Sequence, residues 1–445
     1  MRVDLRWCLL ALMAAAGGCG ASPEAPRPLR GVILFLGDGM GVAAVTAARI
    51  HRGALLGLER PVEGALVMDR APRAALVRTW AKDRMVTDSA AAMTAIMCGV
   101  KARNGEVCLR RHEDGGLDTL ATLLEIAESL GMSTGIVSTA RLTHATPAAC
   151  YAHELDRDDE ESIALQLVPG PERPRLGDGL EVALGGGRDQ FQPVEEGGRR
   201  RDGRDLVDAM RERGYAVVGD RDALREAVGG GAERVFGAFS GSHMEYEALR
   251  EDRAPAEPSL REMTAAALAV LRRNPRGFFL MVEGGRIDHA LHENHGYLAV
   301  REVLAMDEAL EDALALEPSE TLVLVTADHD HTMVIASDPA ATEDVFSVAG
   351  EDALGRPYTA LLFANGPSAA SQPPEDLTAD AVRDPAFRER AGVPLASETH
   401  GGMDVPLYAF GPREILDRIP GSLDNTAIFG ILEEAIVTGR LDGRK

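Results

Sequence analysis

The sequence predicts an α/β fold whose central sheet is doubly wound and mostly parallel, with helices on both faces. Three observations support this prediction. The chain has 445 residues and 45% of them are apolar, which is ample for one large core or two smaller ones. Continuous apolar segments, which suit strands buried on both faces of a sheet, alternate with segments of helical periodicity. Asp, Glu and His residues stand where several apolar segments end, as at the ligand-binding edge of an open α/β sheet.

Strand-like and helix-like segments follow one another in the first half of the chain. The apolar run at 31–37 ends in Gly-Asp-Gly, which is typical of a buried strand followed by a turn. A second strand is expected to end in the Thr-Asp-Ser sequence at 87–89 and to lead into an alanine-rich helix. Residues 118–131 predict a helix that Asp118 caps, and residues 133–138 predict another buried strand.

The second half continues the alternation and adds an insertion. In order, it predicts loops within 158–240, a helix over 260–275, a strand over 277–284, a helix over 297–316 and strands over 321–331, 358–366 and 404–411. The alternation lapses over 335–397, where Pro, Ser, Asp and Ala are frequent, so we expect a small inserted subdomain there. The whole domain is expected to span 30–435, with a polar tail over 436–445.

The first residues have the pattern of an export signal. An arginine-containing start precedes an apolar run over 7–16 that is too short to span a bilayer. The small residues before Cys19 look like a bacterial lipoprotein cleavage site. The sequence therefore predicts a signal peptide over 1–18, a lipidated Cys19 and a tether over 19–29, with a freely soluble secreted product as the alternative. The predicted location is the periplasm, the outer membrane by a lipid anchor, or the exterior of the cell.

Charge and cysteine content restrict the function further. The formal net charge is −23, whereas a nucleic-acid-binding protein normally has a basic face, so we expect no nucleic-acid binding. A chain this acidic binds phosphate only if local cations reverse the field at the site. Cys8 and Cys19 belong to the leader, which leaves Cys98, Cys108 and Cys150, and none of these has metal-site spacing. An odd number means that at least one thiol is free or pairs between chains, and the pairing stays open.

Ser89 has two interpretations. A Ser before a run of alanines is commonly the N-cap of a helix. A Ser at a helix N-terminus can also be a nucleophile, because backbone N–H groups and the helix dipole favour an anion there. The cap is the commoner role for such a serine, and this stretch alone leaves both interpretations open.

Candidate metal ligands stand at the strand ends and on one helix. Asp38, Glu283 and the pair Asp328–His329 each follow or end an apolar strand. In the sequence RIDHALHEN, Asp288 and His292 are four residues apart and would project from one helix face, although a plain surface pair has the same spacing. His400, in a glycine-rich segment, has no significance on its own.

A hydroxyl and a guanidinium form a second candidate pair. Thr146 precedes Pro147 and is expected to cap a helix whose first residue is that proline. Arg157 is eleven residues further on, about three helical turns, so both side chains would share a face. An ordinary cap and a solvated arginine remain the alternative, and His153 between them is interpreted as structural.

Taken together, six motifs resemble those of the alkaline phosphatase family, more closely its animal-type branch than the enteric bacterial type. The resemblance covers roughly residues 30–435 and suggests an exported bacterial form. The motifs occur in the family's order: LGDGMG at 36–41, TDSAAAMTA at 87–95, THATPAACYAH at 143–153, VEGGRIDHALHENH at 282–295, TADHDH at 326–331 and ETHGG at 398–402.

The resemblance implies a role for each matching residue. Ser89 would be the nucleophile and Arg157 the phosphate clamp. The resemblance implies three metal sites: one zinc with Asp38, Asp328 and His329, a second zinc with Asp288, His292 and His400, and one magnesium with Asp38, Thr146 and Glu283. It also places Asp88, His144 and His289 beside these ligands. The insertion at 335–397 would correspond to a short crown-like subdomain.

The implied function is hydrolysis of phosphate monoesters of broad range, with a phosphoserine intermediate and release of orthophosphate. Two metals can stabilise the entering and the leaving oxygen of such a displacement, and arginine offers a bidentate fork for phosphate. A homodimer is a further implication of the resemblance. The alternatives are a phosphodiesterase or a sulfatase of the same superfamily, or a non-catalytic surface lipoprotein that kept the fold.

Overall fold

The computed structural model describes residues 29–112, 114–170, 176–316, 320–336, 339–370 and 377–438. Its strands are, in chain order, β1 Gly31–Gly37, β2 Arg73–Arg78, β3 Leu109–Arg111, β4 Leu117–Thr119, β5 Ser133–Arg141, β6 Val182–Gly186, β7 Ala216–Val218, β8 Val235–Ala238, β9 Phe278–Gly284, β10 Thr321–Ala327, β11 Asp330–His331, β12 Met333–Ile335, β13 Val348–Glu351, β14 Pro357–Thr359, β15 Leu361–Gly366, β16 Ala391–Pro394, β17 His400–Gly401, β18 Val405–Phe410 and β19 Ser422–Asp424. Its α-helices are α1 Val42–Leu55, α2 Ser89–Cys98, α3 Leu123–Ser129, α4 Ala145–Tyr151, α5 Glu160–Leu167, α6 Leu206–Glu212, α7 Arg221–Gly229, α8 Glu247–Arg253, α9 Leu260–Leu271, α10 Arg286–His292, α11 Gly296–Leu314, α12 Ala379–Val382, α13 Arg413–Leu416 and α14 Thr426–Thr438.

Ten strands form one large sheet in the order β19-β2-β18-β10-β1-β9-β5-β6-β8-β7. All neighbouring pairs are parallel except those of β18, which runs antiparallel to β10 and to β2. The central strand β1 is fully buried, as its unbroken apolar sequence predicts. Gly37 at its end lies level with Gly284 of β9 and Ala327 of β10, so the residues after these strands meet at one edge of the sheet.

Helices cover both faces of this sheet. The helices α1, α8, α9, α10 and α11 form one packed layer, and α2, α3, α4 and α14 form the other. Both layers pack against β1 and β5, which places the apolar core on either side of the middle strands. The predicted fold class is therefore confirmed.

Two local predictions are wrong. The irregular-looking segment 158–240 contains β6, β7 and β8, which extend the sheet beyond β5. These strands have three to five residues each, too few to show a clear periodicity. Asp118 lies in the short strand β4 and caps nothing; Thr122 caps α3 instead, in a capping box with Glu125.

The segment predicted as an insertion forms its own small sheets. Strands β12, β15 and β16 make a three-stranded sheet, and β13 pairs with β14. Helix α14 continues to Thr438, three residues into the predicted tail, and packs on α2 and α3. The predicted signal peptide at 1–18, Cys19 and the tether up to residue 28 lie outside the described residues, as do residues 439–445.

Two further observations concern anchoring and cysteines. Among the described residues, no helix has both the length and the apolar character that crossing a membrane requires. Cys98, Cys108 and Cys150 are buried free thiols. The odd cysteine count therefore corresponds here to unpaired side chains.

A buried carboxyl group in the inserted segment predicts how stability depends on pH. Glu389 is fully buried; its Oε2 accepts from the backbone N–H of Gly296 at 2.7 Å, and its Oε1 has no partner among the described residues. Burial raises the pKa of Glu389 from 4.5 to about 8. The native state thus keeps a proton that the unfolded chain loses, so this stability contribution is complete below pH 4.5 and is lost as pH rises towards 8, by about 1.4 kcal/mol for each pH unit.

Glu389→Gln keeps the acceptor for Gly296 and cannot ionise. We expect the thermal midpoint of this variant to fall less than that of the wild type between pH 5.5 and 8.5, in scans at matched ionic strength. The exposed Glu343→Gln is the control and should follow the wild type. Equal pH slopes for Glu389→Gln and wild type would contradict the assignment.

Candidate active site

Three carboxylates meet at the carboxyl edge of the three middle strands. Asp38 follows β1, Asp328 follows β10, and Glu283 is the last residue but one of β9. All three side chains are fully buried. This convergence follows from the level register of the parallel strands, because each apolar strand delivers its next polar residue to the same edge.

Ser89 lies at the N-terminus of α2 but does not cap it. The N-cap is Asp88, whose Oδ1 accepts from the backbone N–H of Ala91 at 2.9 Å. Ser89 is the first helical residue and is almost fully buried. The strand expected before it is absent from the described structure: β2 ends at Arg78, and a loop leads from there to Asp88.

The Ser89 hydroxyl faces side chains that are candidate metal ligands. Its Oγ lies 3.5 Å from Asp38 Oδ1 and 3.3 Å from His329 Nε2. The same Nε2 lies 3.4 Å from Asp38 Oδ1 and 3.3 Å from Asp328 Oδ2. Asp328 is oriented by its other oxygen, which accepts from the backbone N–H of Gly39 at 3.0 Å. A hydroxyl, two carboxylates and an imidazole thus share one small buried space.

Asp288, His292 and His400 form a second group beside the first. The helix α10 places Asp288 and His292 on one face, as predicted, with Asp288 Oδ1 3.2 Å from His292 Nε2. His400 Nε2 lies 3.5 Å from the same carboxylate oxygen and 3.2 Å from His292 Nε2. The other ring nitrogens donate to backbone carbonyls, His292 Nδ1 to Glu398 at 2.6 Å and His400 Nδ1 to Thr87 at 2.9 Å. Both Nε2 lone pairs therefore point at one position, which suits a shared cation.

His331 and Glu398 belong to this group and were missed in the sequence. His331 Nε2 lies 2.9 Å from Asp288 Oδ1, and its Nδ1 lies 2.5 Å from Glu398 Oε2. Burial opposes its charge, but these two carboxylates outweigh that effect and raise the pKa of His331 to about 10. The second histidine of TADHDH was a visible signal, since it follows His329 by two residues, the spacing that brings side chains to one side of an extended segment.

A third group surrounds Asp38 from the other side. The oxygens Asp38 Oδ2 and Glu283 Oε1 are buried and have no hydrogen-bond partner among the described residues. The same holds for His144 Nδ1, 4.0 Å from Asp38 Oδ2. Thr146, fully buried, places its hydroxyl beside Glu283. Unpartnered buried oxygens of this kind are what a bound cation would satisfy.

The helix geometry around Thr146 differs from the prediction. Helix α4 begins at Ala145 after the N-cap His144, so Thr146 is its second residue and is not the cap. The helix ends at Tyr151, and Arg157 lies beyond it. Arg157 is held there by its own backbone N–H, which donates to Gly105 at 2.9 Å. The shared helix face was therefore a wrong argument, although both side chains do reach the site.

The guanidinium of Arg157 lies between two side chains. Its Nη1 is 3.3 Å from Asp88 Oδ2, and its Nη2 is 3.2 Å from His144 Nε2. Asp88 is fixed in turn by the backbone N–H of Gly105, 2.8 Å from the same Oδ2. This arrangement leaves an arginine fork at the N-terminus of α2, next to Ser89.

Three histidines form a cluster that reaches Arg157 through His144. His144 and His289, expected beside the ligands, have ring centroids 5.3 Å apart. His243, which the sequence reasoning did not single out, lies 3.9 Å from His289 and 5.4 Å from His144. Burial, followed by nearby positive groups, lowers the pKa of His144 and of His243, so both rings are neutral.

The buried carboxylates of the site would be stabilised by bound cations. Burial, and then the mutual repulsion of the carboxylates, raises the pKa of Asp38, and burial raises that of Glu283 to about 8. The pKa of Asp288 is instead held low, because His292, His331 and His400 outweigh its burial.

Three sets of side chains bring their ligand atoms close enough for one ion each: Asp288, His292, His331 and His400; Asp38, Asp288 and His329; Asp38, His144 and Glu283. Imidazole and carboxylate donors suit zinc, and an oxygen-rich set suits magnesium.

A sequence profile described as "Alkaline phosphatase" matches residues 29–438. The chain belongs to the alkaline phosphatase family. An alkaline phosphatase of Gadus morhua is 37% identical over 418 residues, which are 86% of this chain and 86% of that protein. The tissue-nonspecific isozyme of Homo sapiens is 36% identical over 425 residues, 86% of this chain and 79% of that protein.

Solved structures agree with this assignment. The crystal structure of Thermus thermophilus alkaline phosphatase has a TM-score of 0.71 and 28% identity, covering 94% of this chain and 95% of that chain. The alkaline phosphatase of the Antarctic bacterium TAB5 has a TM-score of 0.67 at 22% identity, covering 92% of this chain and 98% of that chain, and shows the same fold. The predicted family, its animal-type affinity and the enzyme class are confirmed: the protein is a phosphate monoester hydrolase with metal-binding residue groups.

Proposed function

We propose that this alkaline phosphatase family member hydrolyses a broad range of phosphate monoesters through a phosphoserine intermediate at Ser89, with two zinc ions and one magnesium ion. One observation carries the proposal. The Ser89 hydroxyl lies within 3.5 Å of the proposed metal ligands Asp38 and His329, and the Arg157 fork contacts Asp88, the residue before Ser89. A nucleophile, a phosphate clamp and cation sites are thereby collected in one buried space.

The chemistry of the donor sets supports this choice of ions. The proposed zinc ligands are Asp38, Asp328 and His329 at one site and Asp288, His292 and His400 at the other, and the proposed magnesium ligands are Asp38, Thr146 and Glu283. The unpartnered oxygens of Asp38, Glu283 and Asp328 fit this assignment. When bound, such ions supply positive charge that favours an ionised hydroxyl and stabilises charge developing on phosphate oxygens.

The chain's own groups account for the rest of the reaction. The Ser89 hydroxyl gives its proton to solvent as Oγ attacks phosphorus, the bond to the ester oxygen breaks, and the alcohol departs with a proton taken from solvent. Arg157 holds two non-bridging oxygens and fixes the phosphate in line with Oγ. A water then attacks the phosphoserine, which returns the Ser89 hydroxyl and releases orthophosphate. Asp88 and His144 orient Arg157, and His289 lies beside the ligands of α10.

The setting of the enzyme is part of the proposal. The leader at 1–18 and the small residues before Cys19 support export to the periplasm, the outer membrane surface or the exterior, with Cys19 as a lipid anchor. One relative, from Bombyx mori, is named a membrane-bound alkaline phosphatase. A homodimer follows from the family resemblance, and the catalytic domain is proposed to span 30–435 with a crown-like insertion at 335–397.

Metal removal tests the proposed function. Release of phosphate from an aryl phosphate at alkaline pH should cease after treatment with a chelator and return when zinc and magnesium are restored together. The control is the same protein carried through mock treatment without chelator. A fully metallated protein that leaves the monoester intact would refute the monoesterase assignment, and diesters and sulfate esters would then be assayed.

A further inference from the structure

A group of hydrogen-bond donors lies beyond the phosphate clamp, at the side chains of Arg141, Ser242 and His243. Arg141 ends β5, and the other two residues lie in the loop after β8. The carbonyl of Ser242 accepts from the backbone N–H of Gly187 at 2.6 Å, which fixes this loop against the end of β6. The group is partly open to solvent, with Ser242 exposed and the Arg141 side chain 21% exposed.

The hydrogen bonds of His243 determine where its proton lies. The backbone N–H of Arg141 lies 3.2 Å from His243 Nδ1 and has a fixed direction, whereas the Arg141 guanidinium can turn to another acceptor, so we assign the lone pair to Nδ1. The remaining nitrogen, Nε2, therefore bears the proton and is a donor.

Two donors consequently face each other. His243 Nε2 contacts Nη1 of Arg141, which is also a donor and has no lone pair. The other two guanidinium nitrogens of Arg141 are occupied by Glu160, Nε at 2.8 Å and Nη2 at 2.7 Å. Nη1 is left to point at His243 and at Ser242 Oγ, 3.5 Å away. An acceptor placed among these three groups would satisfy all of them.

The ring of His144 lies between this donor group and Arg157, the proposed phosphate clamp. The His243 ring adjoins that of His144, and His144 Nε2 in turn contacts Nη2 of Arg157. His243 also lies over His289, which neighbours the metal-ligand residue Asp288 on α10. A group bound at the donors would thus lie beside, but outside, the position of the reacting phosphate.

We propose that Arg141, Ser242 and His243 bind a second phosphate of the substrate, which makes bisphosphate monoesters the favoured substrate class. The proposal rests on the proposed monoesterase function of the same site. Convergent donors, one of them a guanidinium, match the several acceptor oxygens of a phosphate. The donor group takes no part in bond breaking, so it improves binding of the ester without altering the chemistry at Ser89.

The test compares two esters of one alcohol, butane-1,4-diol monophosphate and butane-1,4-diol bisphosphate, with the metal-loaded enzyme. The bisphosphate has two equivalent reactive ends. Without any second-phosphate binding, its kcat/KM would therefore be twice that of the monophosphate. We expect the wild-type ratio of kcat/KM, bisphosphate over monophosphate, to be about tenfold greater than this factor of two. That gain is the worth of about one hydrogen bond to a charged group, and it should lie in KM.

Two variants and a control complete the test. His243→Phe keeps a ring over His289 without the Nε2 donor, and its ratio should fall to about two. Ser242→Asp adds a negative charge on an exposed loop position, and its ratio should fall below two. His112→Phe, at an exposed histidine paired with Asp118, should keep the wild-type ratio.

The outcomes separate this inference from the proposed function. A wild-type enzyme that cleaves neither ester refutes the monoesterase. A wild-type enzyme that cleaves both at a ratio no greater than two, or a His243→Phe variant that keeps the high ratio, overturns only the bisphosphate subsite.

Discussion

Ser89→Ala is expected to lower kcat for aryl phosphate hydrolysis by at least about ten-thousand-fold, because the covalent route requires the serine oxygen. The substitution removes one buried oxygen, and the cap of α2 is unaffected because Asp88 provides it. Binding of the ester through Arg157 should persist, so KM should change much less than kcat. Steady-state kinetics at alkaline pH would measure both constants.

The covalent intermediate gives this prediction a second measurement. Wild-type enzyme quenched in acid after exposure to labelled orthophosphate should retain the label on protein, and Ser89→Ala should retain none. Ser129→Ala is the matched control, since that exposed hydroxyl donates only to the carbonyl of Ile126 at the end of α3. Undiminished turnover in Ser89→Ala would exclude the phosphoserine route.

Asp288→Asn is expected to cost one metal ion per chain and at least about a hundredfold in kcat. The carboxylate of Asp288 lies within 3.5 Å of ring nitrogens of His292, His331 and His400. An amide of the same shape lacks the negative charge that attracts a cation and offers one acceptor oxygen in place of two. The cation that would neutralise these groups then binds more weakly.

Elemental analysis of the dialysed protein, alongside steady-state kinetics, checks the effect of Asp288→Asn. Asp312→Asn is the control for loss of one acidic charge, because Asp312 is a surface residue paired with Arg261. Asp288→Asn with the wild-type metal content and rate would show that this carboxylate is no ligand.

The sequence predicted structure well wherever the pattern of residues within one short segment is enough to define a strand or a helix face. The unbroken apolar runs of β1, β9 and β10 identify buried parallel strands, since a strand covered on both faces needs no polar alternation. Helix periodicity likewise places Asp288 and His292 on one face of α10. The same reasoning was least reliable at helix ends, where Asp88, Thr122 and His144 are the N-caps in place of the expected residues.

The sequence by itself determined the fold class, the edge of the sheet at which polar residues collect, and six motifs that identify the family. Only the tertiary structure decided how those residues meet. Arg157 reaches the site because a loop contact to Gly105 holds it, and His331 is joined to Asp288 and Glu398, which are 43 and 67 residues away in the chain. The grouping of His243 with Arg141 spans 102 residues. Periodicity describes neighbours within one element, whereas contacts between distant segments depend on how the elements pack, and no local pattern records them.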